Sequence, residues 1–213
     1  KSQFASTQEH RQRIVNLIKD YRTLLGQGVV ARFDPETYSD AVAFARIGEG
    51  SLGGKARGLA FMNSMILKHR LYDKHANVRI MIPRSVVIAT DYFDDFIRLN
   101  GLKYIISQEF SDEEILSEFV SSTVPARLQQ ELKAYIQTVR TPLAVRSSSK
   151  LEDSHYQPFA GIYSTYMIPY VDNGDQMLRL LLKAVKSVYA SVYFATSRAY
   201  LSSSQNLISE EKM

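Results

Sequence analysis

The residues best suited to chemistry lie in Leu143-Ala144-Val145-Arg146-Ser147-Ser148-Ser149, followed by Glu152-Asp153 and then Phe159-Ala160-Gly161. An apolar strand that stops on an arginine and a run of hydroxyls suits an anion, because the guanidinium offers a planar fork of donors and the hydroxyls add more. An arginine among Leu, Ala and Val is costly unless it is paired. Glu152 or Asp153 could supply a purely structural partner, while Ser147 to Ser149 favour a bound oxyanion, and both readings stay open. Gly161 falls on the expected next strand, where glycine weakens pairing unless something must approach the backbone closely. Thr165 lies beyond it on the same face of a regular strand.

A second, weaker cluster is Gly48-Glu49-Gly50-Ser51-Leu52-Gly53-Gly54-Lys55. Residues 48–53 fit G-x-G-x-x-G, a pattern shared by dinucleotide folds and protein kinases. A dinucleotide fold would also want an acid about 20 residues on, at the end of a second strand; Asp73 has the distance but precedes the strand. The kinase catalytic and metal motifs are absent, and the Walker A pattern fails at Glu49 and Ala56. What remains is Lys55, following Gly53 and Gly54 at a helix start, where backbone N–H groups and an ammonium can face the same oxyanion. An exposed lysine in a first helical turn is the plain alternative. Together the clusters suggest a phosphate site built from two separated loops.

Other chemistries find less support. His10, His69, His75 and His155 are scattered without metal spacing, so no metal site is expected of them. The chain has no cysteine, which excludes disulfides, thiolate ligands and a cysteine nucleophile. No glycine-flanked serine stands with a matching acid and base.

The elements that must position these residues can be read from periodicity. Ile14, Leu17, Ile18, Tyr21 and Leu25 mark an amphipathic helix over about residues 6–25, ended by Gly26 and Gly28 and followed by a connector holding Pro35. The run 41–47 leads into the glycines as strand or helix; its length does not decide. Leu59, Met62, Met65 and Ile66 predict a helix from Lys55 to about Tyr72. A strand follows at 85–89, then a helix over 92–99 capped by Thr90 or Asp91, then helices at 112–121 and 125–139. Strands at 143–149 and 159–168 form a wide hairpin with a mobile polar tip. From Asp175 a long helix carries Met177, Leu178, Leu181, Leu182, Val185, Val188, Tyr189, Val192 and Tyr193, a stripe for the core. The fold class is α+β.

At 213 residues and 45% hydrophobic, the chain can bury a substantial core in one domain of two lobes or in two small domains. No apolar run approaches the roughly 18 residues of a membrane span and no signal-peptide core is present, so a cytoplasmic protein without membrane contact is expected. A net charge of +4, with acids interspersed among the bases, gives no concentrated basic face for nucleic acid. The start without methionine and the serine-rich end suggest a piece of a longer protein.

Several segments then stand in a telling order. These are Gly53-Gly54-Lys55-Ala56-Arg57-Gly58-Leu59, Ile82-Pro83-Arg84-Ser85-Val86-Val87-Ile88-Ala89-Thr90-Asp91, Arg146-Ser147-Ser148 with Glu152-Asp153, and Phe159-Ala160-Gly161. Ala184-Val185-Lys186 to Tyr189-Ala190-Ser191, with Arg198-Ala199-Tyr200, completes the series. Over about residues 45–200 the chain resembles the ATP-binding domain of the pyruvate phosphate dikinase and phosphoenolpyruvate synthase family. With the helical lead-in and connector read from the residues at 1–38, the resemblance implies the first lobe of an ATP-grasp-like domain at 39–201 and a tail at 202–213 leading to a second lobe beyond Met213. It also implies transfer of the ATP β-phosphate to a carrier histidine on another domain, and from there to pyruvate or a similar acceptor.

On that resemblance Lys55 contacts the ATP phosphates, and Arg146 is catalytic, holding the phosphate chain and stabilising charge during transfer. Gly161 and Thr165 line the nucleotide pocket, with Gly53, Gly54 and Ser147 beside the phosphates. Mg2+ is implied, with its ligands in the second lobe, so this fragment alone is expected to be inactive. The implied partners are ATP, the phosphohistidine and acceptor-binding domains of the same polypeptide, and a second copy in a homodimer. Departures from the family pattern are Ser85 for a glycine, Tyr189 for a tryptophan, Leu201 for an arginine, and the loop from Lys150 to Pro158. They suggest a divergent branch with a different acceptor; the lead-in helix and the altered loop leave open a non-catalytic regulatory or interaction module of the same fold, and the G-x-G-x-x-G loop leaves open a nucleotide-binding protein of unrelated fold with a βαβ unit around Gly48.

Overall fold

The site-bearing loops hang from a parallel sheet of three short strands, β1 (Ala31–Arg32), β2 (Phe44–Ile47) and β3 (Ser85–Ile88), in the order β1-β2-β3. The structure is a computed structural model that describes residues 8, 11–15, 17, 30–36, 38, 44–74, 77–78, 80–150, 161–203, 208 and 211–213. Most of the expected lead-in helix, residues 41–43, the hairpin tip at 151–158 with Glu152 and Asp153, and Phe159-Ala160 lie outside the described residues. So do His10, His75 and His155. Within the lead-in, residues 11–15 and 17 are helical, with Ile14, Val15 and Leu17 exposed.

The ambiguous run before the glycines is a strand. β2 pairs in parallel with β3 from Phe44↔Ser85 to Ile47↔Ile88, and Phe44, Ala45 and Ile47 are buried. Helix α1 (Gly53–Lys68) connects the two, so β2, the glycine loop, α1 and β3 form a βαβ unit. α1 begins at Gly53 rather than after Lys55, and it stops short of Tyr72. Arg70 takes a left-handed conformation, φ 49°, that breaks the helix before a single 3-10 turn at Leu71–Asp73. Only Gly53, Gly54 and Ala56 of α1 are buried, and Ala56 packs with Phe44 and Ile82 in a small satellite core.

The main core lies on the other side. α2 (Thr90–Leu99) buries Tyr92, Phe93, Phe96 and Ile97 on one face. α3 (Asp112–Ser121) starts on a capping box, with the Glu114 amide donating to the Ser111 hydroxyl and the Ser111 amide donating to the Glu114 carboxylate. α4 (Ala126–Thr138) buries Leu128, Leu132 and Ile136. The central element is α5 (Gly174–Ala190), which packs on α3, α4 and both strands of the second sheet. Its expected stripe is buried at Met177, Leu178, Leu181, Val185, Val188 and Tyr189. The helix ends at Ala190, so Val192 and Tyr193 are buried from a 3-10 turn instead. Lys186 of α5 donates to the Val120 and Ser122 carbonyls and so closes the C-terminal end of α3. α6 (Ala195–Ser203) follows.

The second sheet is an antiparallel pair, β4 (Leu143–Arg146) and β5 (Thr165–Ile168). Both strands are shorter than the expected 143–149 and 159–168, because Ser147 to Ser149 turn away toward α1 and residues 161–164 form a turn. The end of the chain packs in: Glu211 and Met213 are buried, and the Lys150 amide donates to the Lys212 carbonyl at 3.0 Å. The mixed helix and sheet content fits α+β. Among the described residues no helix is long and apolar enough to cross a membrane.

Candidate functional site

Parallel strands carry ligands most readily beyond their carboxyl ends, where the following loops converge. Here β2 runs out into Gly48 to Leu52, β3 into the start of α2, and the N-terminal turn of α1 sits beside them. The Ala89 amide donates to the Ile47 carbonyl at 2.8 Å, joining the two strand ends.

The glycine loop is occupied from within the chain. The Glu49 and Gly50 amides donate to the two carboxylate oxygens of Asp91, both at 3.0 Å, and the Ser51 amide donates to the Thr90 hydroxyl at 3.0 Å. Thr90 and Asp91 therefore do not cap α2 with their side chains, as their residue types suggest, but reach across to the loop. The glycines allow that approach: a Cβ at Gly48 would stand 2.6 Å from Asp91 Oδ1, and one at Gly50 2.6 Å from the Asp91 amide nitrogen. From the other side Arg46 donates to the Gly48 carbonyl at 3.0 Å and pairs with Glu49 at 2.9 Å. Arg32 lies between Glu49 and Glu131, and Glu131 accepts the Tyr92 hydroxyl at 2.9 Å. Burial, and then that bond, push the Tyr92 phenol well above its ordinary range. The βαβ unit matches the setting of a dinucleotide fingerprint, but the amides that would take a pyrophosphate are engaged by Asp91 and Thr90.

The two separated loops of the sequence meet at the start of α1. Lys55 Nζ donates to the Ser147 hydroxyl at 3.3 Å. The Gly54 amide donates to the Ser149 carbonyl at 2.8 Å. The Ser148 hydroxyl accepts from the Ala56 amide at 2.9 Å and donates to the Leu52 carbonyl at 2.7 Å. Gly53, at φ +76°, is required by contact as well as conformation, since a Cβ there would lie 1.7 Å from the Ser148 carbonyl oxygen. The serines thus serve largely as the joint between α1 and β4. Ser148, Thr90 and Asp91 are the residues that sequence reasoning did not weigh in these roles. Their only signal was a cluster of hydroxyl and carboxylate residues at two element ends.

Arg146 and Thr165 face one another directly across the β4–β5 ladder. Both are exposed, with Ala144 and Met167 completing the outward face, Met167 at 72% exposure. Leu143, Val145, Tyr166 and Ile168 turn inward to the core. The expected burial penalty on Arg146 therefore does not arise, because alternation puts it on the open face. Among the described residues its guanidinium has no ion-pair or hydrogen-bond partner, and a pairing with Glu152 or Asp153 lies outside them. Gly161 is not on the strand. It is in the preceding turn at φ +78°, with nothing among the described residues within 4 Å of an added Cβ, so there the turn conformation rather than a close approach calls for the glycine.

Lys55 and Ser147 are thus in contact, and Arg146, the residue before Ser147, is on the exposed face of β4. The family model for the pyruvate phosphate dikinase AMP/ATP-binding domain matches residues 49–213. The chain belongs to that family. No curated protein and no solved structure matches it. The match begins inside the glycine loop of this dikinase-type domain and runs through Arg146 and Thr165 to the packed end at Met213. AMP/ATP binding is the property that the family assigns to the domain.

Proposed function

We propose that this domain is the first lobe of an ATP-grasp-like cleft, in which ATP lies over the outward face of β4 and β5 with its phosphates toward the start of α1. Lys55 and Arg146 bind the phosphate chain, Ser147 and the backbone of Gly53 and Gly54 support that end, and Gly161 and Thr165 border the nucleotide. The observation that carries the reading is the Lys55–Ser147 contact, which brings the ammonium to the loop that begins at Arg146. Phosphoryl transfer depends mainly on positioned positive charge, and an exposed guanidinium at residue 146 together with an ammonium held to residue 147 supplies it without a protein nucleophile. In the full-length protein the phosphoryl group passes to a carrier histidine on another domain and on to pyruvate or a similar acceptor. A cytoplasmic setting and a homodimer belong to the same proposal.

Mg2+ would neutralise the phosphate oxygens during transfer. Among the described residues no group of three or more His, Cys, Asp or Glu stands together, and the proposal puts the carboxylates that would hold the ion in the second lobe. Replacing Arg146 with Ala in the full-length protein is expected to abolish ATP-dependent autophosphorylation while leaving the circular dichroism spectrum and melting temperature unchanged. Retained phosphorylation would overturn the assignment. The engagement of the loop amides by Asp91 favours a second reading, a regulatory module that keeps the fold without catalysis. That reading expects no phosphohistidine in the wild-type protein under any nucleotide.

A further inference from the structure

The glycine loop contains Gly48, Gly50 and Gly53, a composition that would leave a free loop with many conformations. Yet α1 and Lys55 follow directly from it, and Lys55 must be held within a fraction of an ångström to matter to a phosphate. Fixation comes mainly from the carboxylate of Asp91. It accepts the Glu49 and Gly50 amides together, and it fits only because Gly48 and Gly50 lack side chains. The hold continues toward the lysine without a gap. The Ser51 amide donates to the Thr90 hydroxyl, the Thr90 amide donates to the Ser51 carbonyl at 3.0 Å, and the Leu52 carbonyl accepts from Ser148. Arg46 fixes the Gly48 carbonyl from the opposite side.

We propose that Asp91 is a positioning residue for nucleotide binding: its carboxylate stands in for a ligand anion in the glycine loop and so sets where Lys55 is presented. The proposal rests on the reading of Lys55 as a phosphate contact. An amide in place of the carboxylate is a sharp probe, because Asn can accept one loop amide but turns a donor toward the other.

The test uses the full-length protein with Asp91→Asn, Asp91→Ala, Lys55→Met and both double variants, reading ATP KM, kcat and melting temperature. If Lys55→Met leaves ATP KM unchanged, the functional reading itself fails. If Lys55→Met weakens ATP, Asp91→Asn is expected to raise KM by about 10-fold, the low end of what losing a partner that orients a metal ligand costs. In the Lys55→Met background the same change should have little further effect, since the two act as one unit. Equal, additive losses in both backgrounds would overturn the proposal and leave Asp91 a purely structural residue. Tighter ATP binding on removing the carboxylate would also overturn it, by showing Asp91 to be a competitor of the phosphates. Should Asp91→Ala fail to fold, Asp91→Asn, nearly the same in volume, carries the comparison alone.

Discussion

A methyl group at residue 53 would need the space already taken by the Ser148 carbonyl oxygen, 1.7 Å away, on a backbone at φ +76° that side chains rarely adopt. Gly53→Ala should therefore destabilise the protein by about 3 kcal/mol or more, combining a left-handed alanine with the parting of α1 from β4. Urea unfolding would measure it, and a loss under about 1 kcal/mol would mean that the joint is softer than its contacts imply. The same residue marks how far the sequence could be read. A glycine beside a lysine at a helix start looks alike whether its neighbour is a phosphate or a carbonyl of the same chain, so the letters located the corner but not its internal partners. Arg146 is the complementary case. Its residue type was informative, but its exposure followed from the two-strand alternation and from which face the core covers, which no single strand reveals.

At the scale of elements, α5 and the helices around it were legible because their apolar spacing is long and regular. Termini were not, because they turn on single conformations such as Arg70 and on the diversion of Ser147 to Ser149 toward a distant helix. One mismatch within the packing is instructive. The Tyr189 ring stands 5.0 Å from Phe93 and 5.6 Å from Phe96, yet its buried hydroxyl has no hydrogen-bond partner among the described residues. Burial, and behind it the charge of Asp91, drive that phenol far above its ordinary range. Tyr189→Phe keeps the ring and removes the unsatisfied group, so thermal melting should show a gain of about 1 kcal/mol. A loss of stability instead would place an unseen partner on the hydroxyl.

For the whole molecule, the candidate site is an open face rather than an enclosed cleft. Thr165, Met167, Ala144 and Arg146 look outward, and drug-sized ligands normally have most of their surface covered. The 213-residue chain is accordingly expected to bind ATP weakly or undetectably by calorimetry. Micromolar affinity would mean that the exposed face and Lys55 suffice alone. The family match over 49–213 was foreshadowed in the order of the segments, although each segment is modest by itself.

The joint between α1 and β4 also bears on how the protein comes to be folded. Its bonds link residues 92 to 96 apart, whereas those from the glycine loop to Asp91 span 41 to 42. Loop closure makes the longer contacts slower to form. On a growing polypeptide the glycine loop can therefore take its final shape once Asp91 has emerged. The seat of Lys55 must wait for Ser147 to Ser149, so the half-made domain spends that interval with the first turn of α1 undocked.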